Sequence, residues 1–472
     1  MTHAPHLPVD TRAAWAALGG DPALLARISY RTRAGALPAR LPAVDLARAV
    51  VGCCSLAAAE LAATRARHSL GAIRVRVDDG AVATAFTSER HLLIDGRVPV
   101  NFAPLSRFWR TRDGWLRTHA NYPHHRARLC AALGVGMDAT VDEVAPLLAE
   151  RSALEVEETV YAAGGLAVAL RTPEEWAAHP QGAQVAARPL LALDRVDAAP
   201  ARALSRGVLS PAAGIRVLDL TRVIAGPVAT RTLALLGADV LRVDTPQLPE
   251  AADAHADTGF GKRSTRLDLT DGADRRTFDE LLADADVVVT GYRPGALDRF
   301  GLAPEALAER RPGLVVAALS AWGGYGPWNG RRGFDSLVQV AAGIAATEGS
   351  PERPGALPAQ ALDHGTGYLL AAAVLRALTE QTAQGGSRVV RLALAQTAAW
   401  LVQGARPSPS GYDERAEPYE ADDPAAWLTE ADSPVGRLRH ALPPLSFDGG
   451  PANWARPPGY WGTDEAGWLP AG

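Results

Sequence analysis

Residues 214–244 constrain the fold of this chain more than any other stretch. An apolar run at 215–220 passes through a polar turn into a helix of small residues, which ends at Gly237. A second apolar strand at 240–243 then ends on Asp244. This order predicts the opening of a parallel βαβ unit, in which the helix N-terminus lies beside the strand ends. Because the first N–H groups of a helix lack partners inside it, such a corner favours anionic ligands.

This unit begins only at residue 214 of a 472-residue chain whose composition is typical of a globular protein. The net charge of −4 gives no electrostatic reason to expect nucleic acid. No stretch approaches ~18 uninterrupted apolar residues, and the N-terminus lacks the pattern of a signal peptide. Cys53, Cys54 and Cys130 fit neither a disulfide framework nor a metal site. We therefore expect a cytoplasmic protein with no metal, no nucleic-acid partner and no membrane partner.

From residue 214 onward, strands alternate regularly with helices. The predicted strands are 215–220, 240–243, 266–268, 286–290 and 314–319, and the predicted helices are 228–236, 276–284, 303–310 and 334–345. Such alternation predicts an α/β fold, with a Rossmann-like parallel sheet and helices on both of its faces.

The regions on either side of this domain predict smaller units. Residues 104–195 indicate a small α/β domain, which opens with an Asp-Gly hairpin flanked by aromatic residues and continues into helices. The predicted order is a helix and strand segment at 1–103, the small domain at 104–195, a linker at 196–213, the Rossmann-like domain at 214–405 and an extended C-terminal wrap at 406–472.

An Ala-rich helical stretch at 55–62 has an echo at 369–376. Each stretch is followed by glycine and by a strand that contains Arg and Val. In this alignment Ala49 takes the position of Asp363. We therefore expect residues 1–103 to be a degenerate first copy that completes the large domain and cannot do what Asp363 does.

Six motifs in residues 214–394 have the order and spacing of one enzyme family. They are VLDLTRVIAGPVATRTLALLGADVLRVD, GKRSTRLDLTD, ADVVVTGYRPGALDRFGL, LSAWGGYGPW, RRGFDSLVQVAAGIAATEG and ALDHGTGYLLAAAVLRAL. In these motifs the chain resembles the class III CoA-transferases, a CaiB/BaiF-like family that includes formyl-CoA and carnitine CoA-transferases. The resemblance implies an enzyme that transfers CoA between an acyl-CoA and a carboxylic acid. Coenzyme A would be a moiety of the substrate, with no cofactor bound permanently.

The resemblance also implies a covalent nucleophile, which falls on Asp363. Its carboxylate would attack the thioester, and the returning CoA thiolate would leave an aspartyl-CoA thioester for an acceptor carboxylate to resolve. We expect Asp363 to open a helix that begins near His364, where the helix dipole favours the anion. Asp363 could instead be only the N-cap of that helix, and the two roles could coexist.

The contacts to coenzyme A that the resemblance implies fall on five residues. Val223 and Ala225 lie in the first turn, where backbone groups would meet the nucleotide. Lys262, the only lysine of the chain, would approach the phosphates, and Arg299 and Arg332 match other basic positions around CoA. The three basic residues have simpler interpretations as well: Lys262 could be a surface residue, Arg299 could pair with a helix acid, and Arg332 is one of two adjacent arginines.

The order of the halves differs from that of the family. The motifs FWRTRDGWLRTHANYP and LRTPEEWAAHPQG, which resemble its small domain, precede the CoA module here. The chain therefore combines two incomplete copies that could form one complete site. Because family dimers are interlocked and share their active sites, the resemblance also implies a homodimer, which could be interlocked, acting on acyl-CoA and carboxylate small molecules.

Three alternative functions remain open. The same fold hosts 2-methylacyl-CoA racemases, but their Gly-His-Asp motif is replaced here by Gly333-Phe334-Asp335, and phenylalanine cannot accept a proton. The chain could also be a catalytically silent CoA-binding partner subunit. The third alternative is an NAD dehydrogenase, which is disfavoured because the G-x-G-x-x-G turn is absent after the first strand.

A histidine cluster lies at the end of the first small-domain motif and just after it. Adjacent histidines on a helix point apart, so His119, His124 and His125 are predicted at surface or rim positions rather than at a metal.

Overall fold

The fold is known from a computed structural model, which describes residues 9–66, 73–100, 102–205, 210–404 and 424–470. The N-terminal region contains α1 (Thr11–Ala17), β1 (Ile28–Arg31), α2 (Ala43–Ala66), β2 (Val75–Asp78), α3 (Asp79–Phe86), α4 (Ser88–His91) and β3 (Leu93–Ile94), with a 3-10 helix at Pro22–Arg27. Strands β1 and β2 pair in parallel. By length and composition α2 could cross a membrane, but 89% of its most apolar window is buried inside the protein, as in a core helix.

The region predicted as a small domain contains the expected hairpin and helices, but its last residues, Ala192–Arg195, belong to the central sheet. It contains β4 (Phe108–Arg110), β5 (Trp115–Thr118), α5 (Pro123–Leu133), α6 (Val141–Ala149), α7 (Ala153–Ala162), β6 (Ala167–Ala169), α8 (Pro173–Ala178) and α9 (Pro180–Ala186). Strands β4 and β5 form the expected hairpin, and β6 joins them in an antiparallel sheet. Thr172 and Glu175 cap α8 reciprocally, which explains why that helix begins at its proline.

A seven-stranded sheet forms the centre of the molecule. Its strands are β7 (Ala192–Arg195), β8 (Arg216–Leu220), β9 (Asp239–Asp244), β10 (Arg263–Arg266), β11 (Val287–Thr290), β12 (Val315–Ser320) and β13 (Arg388–Ala393). Their spatial order is β10-β9-β8-β11-β12-β13-β7, and only β7 runs antiparallel to its neighbour. The Rossmann-like α/β fold is confirmed. The predicted strand at 266–268 lies three residues too late, because the apolar Leu267 and Leu269 follow the strand that the sheet uses.

Helices cover both faces of this sheet. They are α10 (Ala225–Leu235), α11 (Ala252–Thr258), α12 (Gly272–Asp284), α13 (Pro304–Arg310), α14 (Asp335–Ala341), α15 (Ile344–Thr347), α16 (Ala361–Gln384) and α17 (Leu394–Gln403), with a 3-10 turn at Asp298–Phe300. The predicted helix at 334–345 is broken at Gly343, which has φ +84°. A Cβ there would lie 2.4 Å from the backbone nitrogen of Pro173, so the small domain packs where only glycine fits.

The C-terminal tail, predicted as an extended wrap, also contains a hairpin. After a 3-10 turn at Pro424–Trp427, β14 (Leu428–Ser433) and β15 (Gly436–Ala441) pair with β3 in an antiparallel sheet. The remainder does wrap over the central sheet. Its indoles are anchored there: Trp454 Nε1 donates to the carbonyl of Arg231 at 2.8 Å, and Trp468 Nε1 to that of Leu281 at 3.1 Å.

The sequence echo corresponds to a structural repeat. The first repeat is β1–α2–β2–α3 and the second is β12–α16–β13–α17, and their two 24-residue helices pack against each other. In each repeat, one strand pairs with an antiparallel segment from the other half of the chain. Strand β13 pairs with β7, whereas β2 forms a bridge to Phe447 of the tail. The two halves of the chain are therefore interlocked, and the homodimer that the resemblance implies stays a prediction.

Candidate functional site

A cavity of about 860 Å³ opens at the carboxyl ends of the central strands. Strand order reverses between β9-β8 and β11-β12, the place where parallel α/β sheets bind their ligands. Leu220, Val243, Gly291 and Leu319 line the cavity on the strand side, and Tyr122, His124, His125 and Arg128 of the small domain line the opposite wall. A single chain thus supplies both walls of the site.

Five of the six predicted site residues line this cavity. Val223 and Ala225 lie at the turn into α10, and Arg299 lies in the 3-10 turn after β11. Arg332 lies in the loop that precedes α14, and Asp363 lies in the first turn of α16. The fold brings these positions together although they span 141 residues of sequence.

Lys262 is the predicted site residue that does not line the cavity. Its ammonium lies 3.0 Å from Asp219 Oδ2 and 2.7 Å from Thr230 Oγ1, so it joins β8 to α10. The side chain is buried, and burial lowers its pKa to about 8. The surface interpretation is therefore wrong. The contact with CoA phosphates stays a prediction, and in this conformation the ammonium faces Asp219.

Asp363 is the third residue of α16, because that helix begins at Ala361. Gln360 is the N-cap, so the N-cap interpretation of Asp363 is wrong. The backbone N–H of Asp363 donates to Asp335 Oδ2 at 2.9 Å. Burial raises the pKa of Asp363 well above its usual range, and the negative charges of Asp335 and Glu89 raise it further. Burial and these two negative charges therefore outweigh the expected stabilisation of the Asp363 anion by the helix dipole.

Asp335 is fixed more tightly than Asp363. It is the first residue of α14 and is almost fully buried, and its second oxygen accepts a hydrogen bond from Gln339 one turn later. Gln339 is itself held, because its side-chain oxygen accepts the N–H of Leu357 at 2.9 Å. Burial raises the pKa of Asp335 as well. The two carboxyl groups therefore form a buried pair in which the charge on one opposes the charge on the other.

Three arginines of the cavity wall form what we call the arginine cluster, namely Arg128, Arg293 and Arg332. Burial lowers the pKa of Arg332, and the positive charges of Arg128 and Arg293 lower it further. Within the described ranges none of the three makes an ion pair with an acid. Such a cluster attracts phosphate groups. Sequence reasoning found Arg332 and missed the other two, although Arg293 follows β11 at the sheet edge where ligands bind.

Two histidines of the cluster, His119 and His125, are buried, contrary to the prediction of surface or rim positions, whereas His124 is partly exposed in the cavity wall. His119 and His125 are each only 4% exposed, and His119 stacks on Phe334 with ring centroids 3.7 Å apart. The rings of His124 and His125, adjacent residues of α5, also approach to 4.1 Å, and His125 meets the ring of Phe334 edge-on. Burial lowers the pKa of His119 to about 3 and that of His125 to about 2, so both rings are neutral at physiological pH. Among the described side chains, no metal-binding group of three is found.

Comparison with known proteins finds CoA transferases among the similar sequences. An acetyl-coenzyme A transferase of Hypoxylon pulicicidum is 36% identical over 242 residues, which cover 49% of this chain and 38% of the fungal protein. An acyl-CoA transferase of Gibberella moniliformis is 32% identical over 296 residues, or 58% of this chain and 52% of that protein. A crystal structure of a CaiB/BaiF family protein from Brucella suis is 27% identical, covers 48% of this chain and 65% of its own, and has a TM-score of 0.39. The chain spans about half the length of the curated relatives it matches.

The cavity at the reversal of a parallel sheet, closed by a separate small domain, defines a Rossmann-like α/β protein with a ligand site between two domains. Residues 212–429 match the model of CoA-transferase family III. Over this segment the chain is similar to that family, and the resemblance inferred from the motifs is confirmed.

Proposed function

We propose that this protein transfers CoA between an acyl-CoA and a carboxylic acid through an aspartyl-CoA thioester on Asp363. The match of residues 212–429 to the model of CoA-transferase family III supports CoA transfer at the level of the family. The observation that carries the finer proposal is the position of Asp363, a buried carboxyl group in the wall of the cavity between the CoA-type corner and the small domain.

The chemistry requires the Asp363 carboxylate first as nucleophile and then as acyl carrier. It attacks the thioester carbonyl, giving a mixed anhydride and CoA thiolate. The thiolate attacks the aspartyl carbonyl, which releases the donor acid and leaves aspartyl-CoA. An acceptor carboxylate then attacks aspartyl-CoA, and the returning thiolate forms the new acyl-CoA and frees Asp363. Each step exchanges one acyl bond for another, which divides a difficult exchange into easier steps.

The remaining residues of the cavity fit the demands of this substrate. The arginine cluster and Arg299 supply positive charge for the phosphates of CoA. Phe334 and the neutral ring of His125 line the cavity wall near Asp335, where the acyl group would lie. Both walls come from one chain, so the proposal needs no residue from a second copy.

Chemical trapping tests the covalent step directly. The protein is incubated with a panel of acyl-CoAs and then with hydroxylamine, and its peptides are analysed by mass spectrometry. We expect a hydroxamate on Asp363 and none in Asp363→Asn. The matched control is Asp45→Asn, because Asp45 is the third residue of α2 as Asp363 is of α16. In this variant the hydroxamate on Asp363 should still form. An unmodified Asp363 across the whole panel would contradict the proposal.

The alternatives receive less support from the site. Racemization needs a base that accepts the α-proton, but Phe334 cannot accept one, and the lowered pKa values of His119 and His125 make both rings poor bases. Incorporation of solvent deuterium at the α-carbon of a 2-methylacyl-CoA, without CoA exchange, would restore that alternative. Binding of CoA with neither reaction would indicate a silent partner subunit.

A further inference from the structure

The turn between β8 and α10 contains a strained backbone. Val223 has φ +72°, a left-handed conformation that costs a β-branched residue appreciable energy and is kept only where surrounding contacts impose it. Val223 lines the cavity at the corner where the nucleotide of CoA is expected. The contacts that impose this conformation therefore bear on the shape of the binding site.

One buried carboxylate, Glu250, reaches this turn. It lies in the loop after β9, and its Oε2 accepts a hydrogen bond from the backbone N–H of Val223 at 3.4 Å. Its other oxygen accepts a hydrogen bond from the phenol of Tyr122 at 2.7 Å. Tyr122 is the residue immediately before α5 of the small domain. Glu250 thus contacts the strained turn and the opposite wall of the cavity at the same time.

Charges around Glu250 keep it ionised and in place. Arg242 Nη2 lies 3.0 Å from Glu250 Oε2, and Arg222 Nε lies 3.5 Å from the same oxygen. Burial alone would raise the pKa of Glu250, but the two guanidinium groups outweigh burial and hold it below its usual value. Arg222 also stacks over the ring of Tyr122, with its guanidinium carbon 5.1 Å from the ring centroid. The carboxylate, both arginines and the tyrosine form one network across the domain boundary.

We infer that Glu250 is a positioning residue, which holds the strained Val223 turn and fastens the small domain to the CoA corner. Glu250 does not line the cavity, so it acts on the ligand through Val223 and Tyr122, which do. The role rests on the proposed function in one respect, namely that the ligand of this corner is CoA. It predicts that the turn and the small-domain wall loosen together when the carboxylate is removed.

Two measurements on the full chain test this role. The first is the affinity for coenzyme A by isothermal titration calorimetry, and the second is amide hydrogen exchange of peptides that cover residues 221–226 and 118–128. In Glu250→Gln we expect about tenfold weaker binding of coenzyme A, with faster exchange in both peptides. Tyr122→Phe removes only the contact to the small domain, so it should speed exchange at 118–128 more than at 221–226.

Rescue distinguishes positioning from a general loss of stability. Glycine adopts a positive φ without strain, so Val223→Gly in the Glu250→Gln background should recover most of the lost affinity. Glu60→Gln is the matched control, because it breaks a buried ion pair with Arg376 of α16, far from the cavity. It should lower the melting temperature without changing exchange at 221–226.

Each outcome decides one of the two proposals. If Glu250→Gln behaves like Glu60→Gln, with unchanged affinity and unchanged exchange at 221–226, the positioning role is wrong. Absence of rescue by glycine would also overturn it, because the strain would then not be what Glu250 opposes. If the unmodified protein binds no coenzyme A, the proposed function fails, while the exchange measurements still decide the role of Glu250.

Discussion

The two repeats share one framework and differ in what surrounds the start of their long helices. In the second repeat, Asp363 is buried beside Asp335 and lines the large cavity. In the first, the third helix residue is Asp45, whose side chain is 48% exposed and pairs with Arg48 at 2.6 Å. Counted from the helix starts, Asp45 is the counterpart of Asp363, whereas the sequence echo pairs Asp363 with Ala49. Carboxylates at the third residue of two similar helices thus differ in burial and in the charges beside them.

The ligand sides of the two repeats differ as well. The first repeat has a shallower cleft of about 460 Å³, lined by α1 and the end of β1. Helix α1 packs its first residue, Thr11, against Gly52 of α2, much as α10 packs Ala225 against Gly367 of α16. Strands equivalent to β8–β11 are absent beside β1 in the described residues, so no sheet edge is available there to hold a nucleotide. The first repeat therefore supports the fold and the second carries the site.

Alanine at the two aspartates gives the largest contrast. Asp363→Ala should reduce CoA exchange by on the order of 10³-fold or more, because the covalent intermediate cannot form. Asp45→Ala removes only a half-exposed ion pair and should retain most of the activity. Rates of thioester exchange measured for both variants check the comparison. Equal losses would mean that the first repeat also takes part in catalysis.

Loss of the only lysine should be the largest effect on stability. Lys262→Met leaves Asp219 buried without its cation, which typically costs about 3 kcal/mol or more in the free energy of unfolding. Arg74→Met breaks an exposed pair with Asp448 near the first repeat and should cost roughly 0–1 kcal/mol. Denaturant unfolding measures both. The double variant Lys262→Met with Asp219→Asn should regain part of the loss, and a mild effect of Lys262→Met alone would contradict the structural role.

Replacing one arginine in each cleft tests which of the two clefts binds coenzyme A. Arg332→Ala should weaken the binding of coenzyme A by about tenfold, the effect of one charge-assisted hydrogen bond. Arg12→Ala, in the cleft of the first repeat, should leave the dissociation constant unchanged. Calorimetric titration with coenzyme A checks both variants. A larger effect at Arg12 than at Arg332 would reverse the assignment of the two clefts.

The pH dependence gives the smallest and most specific test. Asp363 must be ionised to attack, and its pKa is raised, so activity should fall as the pH drops through that raised value. Asp335→Asn removes a negative charge that helps to raise this pKa, so the acid limb of kcat/KM should move to lower pH. Asp45→Asn should not move it. An unchanged acid limb in Asp335→Asn would show that the two carboxyl groups titrate independently.

Local patterns were enough to predict most of the framework. Alternating apolar runs placed β8, β9, β11 and β12 within a residue or two, and the Asp-Gly turn placed the β4–β5 hairpin. Five predicted site residues meet in one cavity because the motifs that contain them follow the carboxyl ends of strands or begin helices. Each of these features depends on residues that are close together in the sequence, so local patterns are sufficient to predict it.

Burial by distant elements could not be predicted in the same way. His119 is buried because Phe334, 215 positions later, stacks on its ring. Lys262 is buried because Asp219 and Thr230 enclose its ammonium. The raised pKa of Asp363 likewise depends on Asp335 and on Glu89 of α4. Each of these depends on how the two halves of the chain pack, which no local pattern encodes.

The bridge between Val75 and Phe447 also determines when the first repeat can complete its sheet during biosynthesis. The first repeat leaves the ribosome early, yet its sheet gains its last neighbour only when the tail has been made. At typical rates of synthesis that interval is roughly 20–70 s. During it, one edge of β2 is unpaired and the apolar helix α2 lacks α16, the helix that covers it. The nascent N-terminal region therefore exposes an unpaired strand edge and an apolar helix until later parts of the chain have been made.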